Sequence, residues 1–280
     1  MKKYLFIFFF AFALVTFEYY CLNFKPQYSI LLLLQAKGFI RQTVKISADP
    51  GRPVSLWLGW IGLGAMIIMN VYSMRKRLGF MQSWGKLSNW LNFHIFCGLL
   101  GPLFIVFHCN FKVRGIVAIS FWSMVVSFTS GIVGRYFYAQ LLKARVDLET
   151  EATQKLSRLD LVFKKNNLDV SDEEKKSYAH KALVFVGLPS DFENISLLNV
   201  LANSIVGDFR RLFYEPITPD TWPVVSKYIL TDYAVSQRRA LFLESFQLLM
   251  GHWHTFHFPF AIFMYAVAII HVAAALILGI

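Results

Sequence analysis

The sequence predicts an all-α fold, a polytopic membrane helical bundle of about five spans carrying a helical soluble insertion. Three observations predict it. The 280-residue chain is 56% hydrophobic and only 16% charged, whereas globular chains average roughly a quarter charged residues. Several continuous apolar runs reach or pass about 18 residues, the length that crosses a bilayer, while a β-barrel would show alternating segments of about ten. Charge is also segregated: residues 139–256 hold 14 Lys/Arg against 15 Asp/Glu, a net of −1, and the remainder holds 14 Lys/Arg against Glu18 and Asp49, a net of +12. That division points to anionic partners at the bilayer faces, either membrane lipid headgroups or cofactor acid groups, and away from nucleic acid.

Four regions follow in order. Residues 1–52 form an N-terminal span and an interfacial segment. The start, "MKKYLFIFFFAFALVTFEYYCLNF", has the basic-then-apolar pattern of a signal peptide. It lacks a small-x-small cleavage site and ends in bulky aromatics, so a retained first span is expected. The apolar part of "QYSILLLLQAKGFIRQTVKISADPGRP" is too short to span, which suits an interfacial or re-entrant helix, and "ADPGRP" is a turn. Residues 53–142 hold three spans, about 54–74, 88–109 and 115–138. The first ends in Arg75, Lys76 and Arg77, Pro102 is a candidate kink in the second, and the third closes on Arg135 and two tyrosines, an aromatic-belt composition. Residues 143–240 are charged and amphipathic, with leucines at helical spacing, and form the soluble helical insertion. Residues 241–280 complete an amphipathic helix over 238–251 lying on the bilayer and then a last span, about 256–279. The Lys/Arg bias places the N-terminus and the large insertion in the cytoplasm, with a bacterial cytoplasmic (inner) membrane as the expected location.

Two spans carry histidines fourteen residues apart: His94 and His108 in "HIFCGLLGPLFIVFH", His257 and His271 in "HFPFAIFMYAVAIIH". Fourteen residues fall about 40° short of four helical turns and rise about 21 Å, so each pair shares one face with one histidine towards each side of the bilayer. A single span separates these two helices, so they run in the same direction. His94 then faces His257 at one level and His108 faces His271 at the other. Ionisable groups inside spans default to functional candidates. Opposed imidazoles across a bundle suit a six-coordinate haem iron whose equatorial ligands come from the porphyrin.

Small residues follow the same faces: Gly98 and Gly101 at i+4 and i+7 from His94, Ala261 and Ala268 at i+4 and i+11 from His257. They give a flat macrocycle room, or let helices pack closely. Arg75, Arg114 and Arg135 stand at span ends as candidate partners for haem propionates. In "GHWHTFHFP", His257 is the favoured ligand and His254, seventeen residues from His271, its rival. The histidines left over could bond a propionate or shuttle protons at a quinone pocket. Cys21, Cys97 and Cys109 form neither CxxC nor CxxCH, so covalent haem attachment is not expected.

The paired spacing resembles that of two families: the cytochrome b of respiratory and photosynthetic quinol–cytochrome oxidoreductases, and the membrane domain of ferric reductases and NADPH oxidases. In both, paired histidines about 13 residues apart on two helices hold stacked b haems. The resemblance covers the two histidine spans and the helix between them, and it implies two haem b. The expected function is transmembrane electron transfer, with quinone as a candidate mobile partner. The chain has no iron–sulphur cysteine cluster and no dinucleotide-binding glycine fingerprint. It is therefore expected to be an electron-transfer subunit of an oxidoreductase complex rather than a catalyst alone, with partners supplying iron–sulphur, flavin or c-type cytochrome centres. The alternatives are a transition-metal (Zn/Fe) transporter, which should place carboxylates beside the histidines, and a structural membrane subunit.

Overall fold

The computed structural model describes residues 2–115, 117–190 and 195–278. Among them there is no strand, and five helices are long and apolar enough to cross a membrane: Lys3–Phe24, Pro53–Arg77, Leu87–His108, Val117–Gln140 and Leu243–Leu278. The chain is an all-helical integral membrane protein. It divides into two compact units, Met1–Gly131 with Phe256–Ile280, and Ile132–Thr255. Both divisions fall inside span helices.

The first unit is built around α5 (Leu87–His108), which packs against α1 (Lys2–Phe24), α3 (Pro53–Met69) and α4 (Val71–Arg77). From Trp90 to Asn110 no residue of this segment is exposed, and Cys97, Gly101 and Phe107 of α5, a helix that carries Pro102, are buried. Glycines set its approach to α3. A Cβ on Gly62 would lie 3.0 Å from the Gly101 carbonyl oxygen, and one on Gly101 would lie 2.6 Å from Met66 Cγ. Between helices in lipid there is little hydrophobic driving force, so such close backbone contact supplies the dispersion energy that holds the pair. The expected interfacial segment contains α2 (Ile30–Ala36), a helix of seven residues. Buried Glu18 of α1 accepts from the Ser29 hydroxyl and from the N–H groups of Ile30, at 2.9 Å, and Leu31, at 3.1 Å. The only acidic side chain of α1 thus finds its partners in the unpaired donors of a helix N-terminus.

The second unit holds α7 (Arg145–Lys165), α8 (Asp172–Phe185), α9 (Leu197–Phe213) and α10 (Val224–Leu241), with the adjoining ends of α6 (Val117–Gln140) and α11 (Leu243–Leu278). Its core includes Leu159, Phe163, Ala182, Val186, Trp222 and Leu230, with Trp222 edge-on to Phe163 at 4.7 Å. A second cluster joins Phe137, Val200, Phe242 and Phe246.

One expectation about the C-terminal region is corrected. No single amphipathic helix covers 238–251, because α10 ends at Leu241 and α11 starts at Leu243. The last span lies within α11, one helix of 36 residues with Pro259 in its interior. An interior proline is tolerated in membrane helices because neighbouring groups satisfy the freed backbone.

Candidate functional site

On α11, His257, Ala261, Met264, Ala268 and His271 form one inward stripe, half-buried or buried, while Ile262, Phe263, Ile269 and Ile270 are exposed. This is the i, i+4, i+7, i+11, i+14 face on which the histidines were expected, and both alanines lie on it. Met264 sits midway between the two histidines and packs with Met66 of α3 and Met124 of α6.

At one level the structure brings His108 and His271 together, their ring centres 6.4 Å apart and their planes at 62°. A metal ion taking one nitrogen from each of two opposed imidazoles needs ring centres about 6 to 6.5 Å apart: two bonds of roughly 2.0–2.1 Å plus about 1.1 Å from each nitrogen to its ring centre. The observed separation fits. His108 is also oriented. Its Nδ1–H donates to the Ser55 carbonyl at 2.8 Å, and the Ser55 hydroxyl donates to the His108 carbonyl at 2.7 Å. With its proton on Nδ1, the His108 ring presents Nε2 as a lone pair, the form in which imidazole ligates a metal. Gly59 makes room for this ring, because a Cβ there would meet His108 Nδ1 at 2.7 Å.

The other two histidines are prepared in the same way. His94 Nδ1–H donates to the Met69 carbonyl at 3.0 Å, at the break between α3 and α4, and Tyr72 packs on the ring with centres 5.4 Å apart. His257 Nδ1 lies 2.6 Å from Ser130 Oγ. The Ser130 hydroxyl also lies 3.0 Å from the Ser127 carbonyl. His94 and His108 thus hold Nδ1–H in a hydrogen bond to a carbonyl of α3, and His257 Nδ1 is bonded to the Ser130 hydroxyl of α6.

The remaining residues singled out in the sequence are placed as follows. Gly98 and Gly101 face α3, where a Cβ would meet Met69 Sδ at 3.7 Å and Met66 Cγ at 2.6 Å, respectively. Arg75 is buried, and its guanidinium donates to the carbonyls of Gln82, Trp84 and Gly85, stapling the loop before α5. Arg114 is exposed in the α5–α6 loop. Arg135, in the second unit, lies over the Tyr138 ring at 5.7 Å. His254 is exposed, and its neighbour His252 bonds the Leu248 carbonyl one turn back at 3.2 Å.

Ser55, Gly59, the Met69 carbonyl and Ser130 were missed in the sequence. A polar hydroxyl within an apolar span is a signal that could have flagged the two serines, since such groups in lipid find partners on other helices. Gly59 and a backbone carbonyl leave no such signal. Among the described residues no group of three or more His, Cys, Asp or Glu gathers at one point; a bis-imidazole haem site needs only two protein ligands. No family model, curated protein or solved structure matches this chain.

Proposed function

We propose that this protein is the membrane subunit of a larger oxidoreductase, holding two b-type haems for one-electron transfer across the bilayer. The observation that carries the reading is the His108–His271 pair, 6.4 Å apart, with His108 fixed through Nδ1 by Ser55. Haem, when bound, supplies a one-electron iron couple whose potential its axial ligands and surroundings adjust. His108 and His271 would hold one group and His94 and His257 the other. Ser55 and Met69 would fix the tautomer and the ring plane of two of these ligands, and Ser130 would orient the ring of a third. Ala261 and Ala268 leave the inward face of α11 low beside its histidines. Arg114 is the proposed propionate partner at a span end, and Arg75 contributes by fixing the loop that leads into α5. Quinone is the proposed mobile partner, met at the end of α11 bearing His252, Trp253 and His254. Partner subunits would carry iron–sulphur, flavin or c-type centres, and the proposed location is a bacterial cytoplasmic membrane with the N-terminus inside.

The test is optical. Protein purified from its native membrane should show a b-type α-band on reduction, and His108→Ala or His271→Ala should each remove about half of the haem. Absence of iron porphyrin from correctly folded protein, or zinc in its place, would overturn the reading in favour of metal transport.

A further inference from the structure

The C-terminal half of α9 is amphipathic in the reverse sense of a soluble helix. A helix on a water-facing body turns its apolar stripe to the core and its polar face outward. Val200 and Leu201 do pack in the Phe137 cluster, but the inward positions that follow are Ser204, Gly207 and Asp208. Ser204 is fully buried, and Asp208 forms an ion pair of 2.7 Å with Arg238, itself fully buried. Arg238 also donates to the carbonyls of Val186 and Ser204, and Gly207 lies so close to α8 that a Cβ would fall 1.8 Å from the Val186 oxygen. This polar, glycine-tight face fixes which way α9 turns. The outward face is then Leu198, Ile205, Val206, Phe209, Leu212 and Phe213, between 46% and 75% exposed. By contrast, α7 exposes Glu149, Lys164 and Lys165 to its surroundings.

Charge and position say what covers this face. Asp208 is the only acid in α9 and it is engaged inward, by Arg238 at 2.7 Å and by Arg211 at 3.5 Å, so two guanidiniums share one carboxylate; Arg210, in the same last turn, is exposed. Tyr214 and Ile217 continue the exposed apolar strip beyond the helix. The same compact unit contains the ends of two span helices, Ile132–Gln140 and Leu243–Thr255, so a bilayer surface adjoins it. An apolar face with aromatics, bordered by Arg210 and with no acid among the exposed residues of α9, is the composition of a helix lying in the interfacial layer; just beyond the helix, exposed Glu215 is paired with Lys227 at 3.4 Å.

We propose that α9 is a monotopic membrane anchor, with Phe209 and Leu212 among acyl chains and Arg210 on anionic lipid phosphates. The insertion is thereby held down on the membrane over the length of α9 rather than suspended from its two ends. Nothing here depends on haem.

The test uses the full chain in lipid nanodiscs. A nitroxide is carried on p-acetylphenylalanine at position 205, 209 or 212, which leaves the native cysteines in place, and at 161 on α7 as a control. Dissolved oxygen should relax the α9 labels several-fold more than a water-soluble nickel chelate does, and the control should show the opposite. Replacing zwitterionic lipid by one-third anionic lipid should drive the labels deeper, and Arg210→Gln should abolish that shift. Access to the nickel chelate equal to that at 161 would make the face a wet one and overturn the proposal. Exclusion of both relaxants would overturn it in favour of a second copy or a partner protein. Should a labelled chain fail to fold, photolysis of the unmodified chain with a diazirine-tailed phospholipid serves in its place. Adducts within 198–213 are expected; adducts on α1 and α11 with none on α9 would refute it.

Discussion

The sharpest test of the histidine site is Gly59→Ala. The added methyl group would meet three atoms of the His108 ring, Nδ1 at 2.7 Å, Cε1 at 2.9 Å and Cγ at 3.1 Å, where ordinary contact begins at 3.4 Å. The ring must therefore retreat by about 0.7 Å, from the Nδ1 shortfall, or strain must accumulate. A retreat of that size along the 2.8 Å bond to the Ser55 carbonyl takes it to the limit of a hydrogen bond. Losing that bond removes about 0.5–1.5 kcal/mol. Holding it instead stores roughly 1–3 kcal/mol of overpacking. Opposing either loss, alanine is favoured over glycine in a helix by about 0.8–1.0 kcal/mol. The net change in stability is then small, from near zero to about 2 kcal/mol, while the ligand is displaced. Gly64 on the same helix is the control, because a Cβ there meets nothing within 4 Å. Thermal unfolding in detergent should show Gly64→Ala at or above the parent and Gly59→Ala at or below it. Haem per chain and the α-band should fall only in Gly59→Ala. Equal haem content and identical spectra in the two variants would refute the seating of His108 described above.

Three further outcomes are expected. Ser130→Ala removes the hydroxyl partner of His257 Nδ1, so haem should be lost at the His257 level alone, with about 0.5–1.5 kcal/mol of stability, read by haem extraction and denaturant titration. Arg238→Met leaves Asp208 without its buried partner and should destabilise the second unit by about 3–5 kcal/mol, with partial recovery in the double variant Arg238→Met/Asp208→Leu, measured by chemical unfolding. Acid should destabilise the same unit: hydrogen bonds from Lys143 and Lys155 hold the Glu151 carboxyl at about 2 against an ordinary 4.5, and although burial pushes Asp208 up, Arg238 outweighs it and holds that carboxyl low. Because both folded-state values are depressed, this stability is present above the ordinary carboxylate range and disappears as pH falls from about 4.5 towards 2, and Glu151→Gln should flatten the lower part of that profile in a denaturation series.

The spans were legible because each is a continuous apolar run, and the histidine stripe of α11 because helical periodicity is a local property of the sequence. What could not be read was whatever depends on a second helix. The Nδ1 partners of His108, His94 and His257 belong to α3 and α6, and no spacing within α5 or α11 encodes them. The same holds for Gly98 and Gly101. Periodicity gave the face correctly, but two helices compete for a helix such as α5, and the glycines lie against α3. Arg75 shows the limit for charge: a basic residue at a span end satisfies the orientation rule, yet its guanidinium is engaged with three loop carbonyls.

The height midway between the two histidine levels carries ties that set the register of α11. Tyr265 donates to the Met66 carbonyl and accepts from Asn70 Nδ2 at 2.7 Å, joining α11 to the end of α3. Ser120 of α6 donates to the Met264 carbonyl at 2.9 Å. The methionine cluster of Met66, Met124 and Met264 fills the space between these bonds with side chains that adapt to irregular gaps. Sliding α11 by one residue would turn it by about 100° and carry both histidines off the inward face together. Packing alone cannot prevent such a slip between smooth apolar helices in lipid, where the surrounding medium is as apolar as the contact. Directional bonds at mid-height can, since a slip breaks all three at once and leaves their polar groups in hydrocarbon. That register keeps His257 and His271 on the inward face at two depths, which is what the proposed pair of haem sites would require of α11.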